Sequence, residues 1–167
     1  MPAPPARAAV AAARCSKPRV SQVLPFMEKI LFVCIHNSAR SQIAEALLNR
    51  MSGDEFAAES VGLAPGTLNP LAVAVLNEVG IDISAKKTRG VAELIRSGAR
   101  FDWVITVCDE SSARQCPVFP GESQRLHWSL PDPSAFRGSW QERLEQTRAI
   151  RSTVESKIRD FLQLAAR

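Results

Sequence analysis

The chain has 167 residues, 46% of them apolar, and a formal net charge of +4. No apolar run approaches the roughly 20 residues needed to span a bilayer, so a single soluble domain with one core is expected. The four excess charges, Arg7, Arg14, Lys17 and Arg19, all precede Glu28, the first acidic residue, and residues 28–167 are electrically balanced. Nothing in this distribution argues for a nucleic-acid surface.

Residues 1–27 are rich in Ala, Pro and Arg, contain no acid and show no hydrophobic period. They read as a disordered or removable extension preceding a catalytic domain over residues 28–167. Their composition resembles an organelle transit peptide, but prolines at 2, 4, 5, 18 and 25 break any continuous amphipathic helix. Met27 is therefore preferred as the functional start. No secretory signal with a clean apolar core is visible, which makes a cytoplasmic location the expectation. Four cysteines in a reducing compartment are more often buried, metal-binding or catalytic than bridged. Cys15, Cys34, Cys108 and Cys116 include no C-x2-C pair, and His36 and His127 stand at no zinc-like spacing to them.

Lys29 to Cys34 forms an apolar strand-like run, and Ile35-His36-Asn37-Ser38-Ala39-Arg40-Ser41 leads from it into a helical pattern with Ile43, Ala44, Leu47, Leu48 and Met51 in period. This is C-x5-R-S at a strand-to-helix turn. The span lets the backbone N–H groups of residues 35–40 and the helix N-terminus converge on one tetrahedral oxyanion. Arg40 can clamp two oxygens with its planar fork. A cysteine beside an arginine and a helix N-terminus favours its thiolate form, and Ser41 can donate a hydrogen bond to the sulfur.

Phe56–Val61 reads as a second strand, and Asn69-Pro70 opens a helix carrying Leu71, Val75, Leu76 and Val79. Ile81–Thr88 is a connector and Val91–Ile95 a short helix. Phe101–Cys108 is the best candidate for a buried strand, Arg125–Trp128 a fourth strand, and Ser139–Leu164 a closing helix with Leu144, Ile150, Val154, Ile158, Phe161 and Leu164 on one side. Alternating strands and helices predict an α/β three-layer sandwich around a four-stranded parallel sheet. Ligands of such folds bind beyond the carboxyl ends of the strands. Cys34, Cys108 and the Pro131-Asp132-Pro133 loop all fall there.

These residues resemble the low-molecular-weight protein tyrosine phosphatase fold, with strand order 2-1-3-4, and within it the thioredoxin-coupled arsenate reductases. The markers are Cys34-x5-Arg40-Ser41 with Asn37 inside, Asp132-Pro133, and Cys108 with Cys116-Pro117 followed by His127-Trp128. The resemblance implies that Cys34 attacks arsenate, that Cys108 resolves the adduct, and that Cys116 takes over the disulfide for delivery to an external thiol. It implies Asp132 as the general acid that protonates the departing oxygen. Thioredoxin is favoured as reductant over glutathione and glutaredoxin, with no tightly bound cofactor and a monomeric state expected. Asn37, Glu45 and Ser60 fall where some of these reductases hold potassium, but no aspartate near Gly90 completes that set. The alternative is a phosphatase acting on phosphotyrosine. That branch presents tyrosines after its Asp-Pro, whereas this chain reads Asp132-Pro133-Ser134-Ala135-Phe136 and has no tyrosine.

One geometric demand accompanies the reductase reading. Were residues 108–116 helical, eight steps would part the two α-carbons by about 12 Å, whereas a disulfide tolerates about 4.4 to 6.8 Å. Residues 109–115 carry no large apolar side chain, so this segment is predicted to loop out between redox states.

Overall fold

The computed structural model of the protein describes residues 26–110, 114 and 121–166. Residues 1–25, with Cys15, and Cys116, expected from the resemblance to take over the disulfide, lie outside the described residues.

Strand β1 (Glu28–Cys34) is the centre of the molecule. Ile30, Leu31, Phe32 and Val33 are all at most 1% exposed, because a strand with layers on both faces needs an unbroken apolar run. Its side chains nevertheless sort by parity. Ile30, Phe32 and Cys34 enter the larger core, and Leu31 and Val33 the smaller one. β2 (Phe56–Gly62) pairs with β1 in parallel, Glu28 against Phe56 through Cys34 against Gly62. On the other side β3 (Trp103–Thr106) pairs Ile30 with Trp103 through Val33 with Thr106, and β4 (Gln124–His127) closes the edge. The order is β2-β1-β3-β4, as the resemblance implies.

Helix α1 (Arg40–Met51) connects β1 to β2. It is followed by α2 (Pro70–Asn77), α3 (Val91–Arg96) and the closing helix α4 (Trp140–Ala165). α1, α2 and α4 cover the larger face with Ile43, Leu47, Leu48, Val75, Leu76, Ile150, Val154 and Ile158. An aromatic seam runs beneath α4: Trp103 meets Phe161 edge-on at 5.0 Å between centroids, and Phe161 meets Phe56 at 5.5 Å. Among the described residues, α3 is the helix that covers the other face, through Val91 and Leu94 against Leu31, Val33, Val61 and Val104. No helix of the described residues is long and apolar enough to cross a membrane.

Predicted bounds shift at two strands, with β4 running over Gln124–His127 instead of Arg125–Trp128. β3 spans four residues instead of the eight from Phe101 to Cys108. Phe101, Val107 and Cys108 are buried without belonging to the strand, because apolarity reports burial and not ladder pairing. Pro133–Ala135 forms an unpredicted 3-10 turn, capped by the Asp132 carboxylate, which accepts from Ser134 N at 2.9 Å.

Candidate active site

The carboxyl ends of all four strands converge, and the loop leaving β1 lies among them. Its shape depends on Asn37, whose φ of 52° is in the left-handed region that asparagine tolerates better than most residues. Asn37 is fully buried, and every polar atom of its amide is used. Nδ2 donates to Ser41 Oγ and to Ser60 Oγ, both at 2.9 Å. Oδ1 accepts from Arg89 N at 2.8 Å and from Gln42 Nε2 at 3.1 Å. Arg89 N can only donate, which fixes the orientation of the amide.

The Cys34 sulfur lies inside this frame, 2% exposed. Asn37 N donates to it at 3.0 Å, and Ser41 Oγ stands 2.9 Å away. Ser41 Oγ accepts from Asn37 and keeps its own proton available for the sulfur, the donor that a thiolate would need. Behind the loop, α1 begins at Arg40 with no side-chain cap and no acidic residue in its first turn. Its leading N–H groups are thus directed at the loop, as an anion requires.

Gly62 makes the tight curl possible. A Cβ there would stand 2.7 Å from Asn37 N and 2.8 Å from Ile35 O, closer than real contacts allow. The chain after β2 then follows the loop, with Leu63 N donating to Cys34 O, Ala64 N to Ile35 O and Gly66 N to His36 O. Asn69 N holds Ser38 O at 2.9 Å. His36 is exposed and meets Ala64 O through Nδ1, so the ring lies outside the sulfur's surroundings.

Arg40, 4% exposed, reaches across to the segment after β4. Nη1 donates to Leu130 O at 3.1 Å, and Nη2 pairs with Asp132 Oδ2 at 3.1 Å. The predicted clamp and the predicted acid are therefore in contact. Cys108, 3% exposed, sits just beyond β3, its sulfur 3.7 Å from the carbonyl of Val33, the residue before Cys34. The two thiols thus occupy neighbouring strand ends within one apolar cluster that also holds Trp128 and Leu130. His127 faces Thr106 instead, with Nδ1 2.7 Å from Thr106 Oγ1.

Glu45 and Ser60 come together with Asn37 as the family resemblance implied, with Ser60 Oγ donating to Glu45 Oε2 at 2.5 Å. The partner on the other carboxylate oxygen is the Lys86 ammonium. Gln42, Gly62, Lys86, Arg89 and the Leu130 carbonyl were not anticipated from the sequence. A glycine closing a strand was a usable signal for Gly62; the others contribute through contacts that no local spacing encodes.

Residues 29–167 match the low molecular weight phosphotyrosine protein phosphatase family. An arsenate reductase of Bacillus subtilis is 34% identical over 134 residues, covering 80% of this chain and 94% of that protein. Among solved structures, an arsenate reductase in the phosphate binding state is 30% identical with a TM-score of 0.66, covering 82% of this chain and 98% of the other. A thioredoxin-dependent arsenate reductase of Corynebacterium glutamicum is also 30% identical, with a TM-score of 0.54, over 80% of this chain and 62% of that one. With the curled loop, the uncapped helix and the Asp-Pro segment in their places, the chain belongs to the low molecular weight phosphotyrosine protein phosphatase family.

Proposed function

We propose that the chain is an arsenate reductase that moves two electrons through three thiols, the domain responsible being residues 28–167. The observation that carries this reading is a second buried thiol, Cys108, at the strand end adjoining the Cys34 loop. A phosphatase needs one sulfur. A reductase needs a partner for it, and the relatives described above are named arsenate reductases.

The oxyanion enters the loop of residues 35–40, held by its backbone N–H groups and by Arg40. An arriving anion competes with Asp132 for the guanidinium, loosening a pair that otherwise measures 3.1 Å. The Cys34 thiolate attacks arsenic while Asp132, carrying a proton, delivers it to the departing oxygen, which leaves as water. The product is a Cys34–S–As(V) adduct. Cys108, as thiolate, then attacks the Cys34 sulfur. A Cys34–Cys108 disulfide forms, the S–As bonding pair stays on arsenic, and arsenite departs. Cys116 attacks the Cys108 sulfur, Cys34 leaves as thiolate, and the Cys108–Cys116 disulfide is reduced by an external dithiol. The name of the Corynebacterium relative supports thioredoxin for that step.

Steady-state arsenite production with a thioredoxin system, compared with glutathione and glutaredoxin, tests the activity. Wild type is expected to turn over with thioredoxin, and serine at 34, 108 or 116 to stop it. No turnover by wild type with either system defeats the reductase reading. Hydrolysis of phosphotyrosine peptides in place of arsenate reduction would restore the phosphatase alternative, which the absence of any tyrosine after Pro133 disfavours.

A further inference from the structure

A chain of contacts leads from the solvent to the Cys34 sulfur. Lys86 pairs with Glu45, Glu45 accepts from Ser60, Ser60 accepts from Asn37, and Asn37 donates to Ser41, which faces the sulfur. Glu45 has a side chain only 13% exposed. Left alone, its carboxylate would be a costly half-desolvated charge of the same sign as a thiolate. Some cation is required there.

While Lys86 holds the Glu45 carboxylate, potassium does not fit these residues. Asn37 Oδ1 already accepts two hydrogen bonds, from Arg89 N and Gln42 Nε2, and the amide turns its N–H2 towards Ser60. The Glu45 oxygens are taken by Ser60 and Lys86. The segment that would supply a further acidic ligand, residues 85–92, instead carries Lys86, Lys87 and Arg89 and no acid, and Arg89 pairs with Glu59 at 2.8 Å. With the ammonium seated, the lone pairs left on Glu45 and Ser60 are the open side-chain donors of this cluster among the described residues, and a hard cation needs more oxygens than these supply.

We propose that the Lys86 ammonium is a built-in replacement for a monovalent cation, and that Lys86 is a positioning residue for the Cys34 loop. It neutralises Glu45, which lets Glu45 hold the Ser60 hydroxyl. Ser60 then receives one Asn37 N–H and leaves the other for Ser41. The consequence is an oxyanion loop indifferent to potassium. The inference rests on the reading of Cys34 as nucleophile but on no particular substrate.

The test is the rate of iodoacetamide alkylation at Cys34, followed by peptide mass, together with the thermal midpoint, in KCl and in choline chloride at equal ionic strength. Wild type and Lys86→Arg are expected to behave alike in both salts. Lys86→Met is expected to alkylate about tenfold more slowly in choline, the loss of one charge-assisted contact, and to recover in KCl as potassium enters the vacated position. A variant unfolded in choline but folded in KCl supports the same conclusion. The proposal is overturned if wild type gains from potassium as much as Lys86→Met does, if Lys86→Met is unaffected in choline, or if KCl restores nothing. Neither readout involves arsenate, so a failure to produce arsenite and a failure here are separable.

Discussion

Gly62 and Ser41 show how single side chains, or their absence, set the chemistry of Cys34. Alanine at 62 places a methyl 2.7 Å from Asn37 N, against backbone that cannot give way. Gly62→Ala is expected to destabilise the fold by about 1–3 kcal/mol and to abolish protection of Cys34 by inorganic phosphate, measured by denaturant unfolding and by alkylation with and without phosphate. Ser41→Ala removes the hydroxyl 2.9 Å from the sulfur while leaving the packing of α1 intact. It is expected to lower turnover by about tenfold to a hundredfold, the worth of one hydrogen bond to a charged group, with the unfolding midpoint little changed. The placement of Cys34, Arg40 and Ser41 was legible because a turn from strand to helix is a local signal, whereas Asp132, which the proline pair alone marks only as a turn residue, was singled out by the family resemblance. Gln42, Lys86 and Arg89 were not legible, because their roles arise only once Asn37 is buried and its amide seeks four partners.

At the scale of elements, α4 is held to α2 by charge as well as by its apolar stripe. Glu78, at the end of α2, accepts from Arg148 Nε and Nη2 and pairs with Arg151 at 2.9 Å. The hydrogen bonds from Arg148 hold its carboxyl below the usual value of 4.5, with Arg151 assisting and partial burial opposing. A depressed carboxyl in the folded state contributes stability that is fully present above the unfolded value and is lost as pH falls through the folded one. Glu78→Gln is therefore expected to lower the melting temperature at pH 7, and the gap from wild type to close as pH drops below about 4.5. A gap that stays constant between pH 7 and pH 3 would remove the ion pair from the account. Helix positions were readable from period and caps: Ser139 and Glu142 form a reciprocal capping box at the start of α4. Strand lengths were less so, since β3 stops at Thr106 while burial continues to Cys108.

For the whole molecule, the parallel sheet turns separate pieces of sequence into one site by aligning their carboxyl ends. Strand order followed from the family resemblance, and the neighbouring placement of Cys34 and Cys108 follows from β1 lying beside β3. The proposed relay asks more than this arrangement, because a disulfide between Cys108 and Cys116 needs their α-carbons within about 4.4 to 6.8 Å, closer than a helical segment between them allows. Amide exchange over residues 109–115 is expected to differ between reduced and oxidised protein, and identical exchange in the two forms would exclude the looping-out. The relay itself is tested most directly by a single turnover of Cys116→Ser with excess arsenate and no external reductant, analysed by peptide mass. The expected result is one arsenite released per chain with Cys34 and Cys108 joined in a disulfide. Arsenite released with Cys108 still reduced, or no arsenite despite an intact oxyanion loop, would contradict the three-thiol relay.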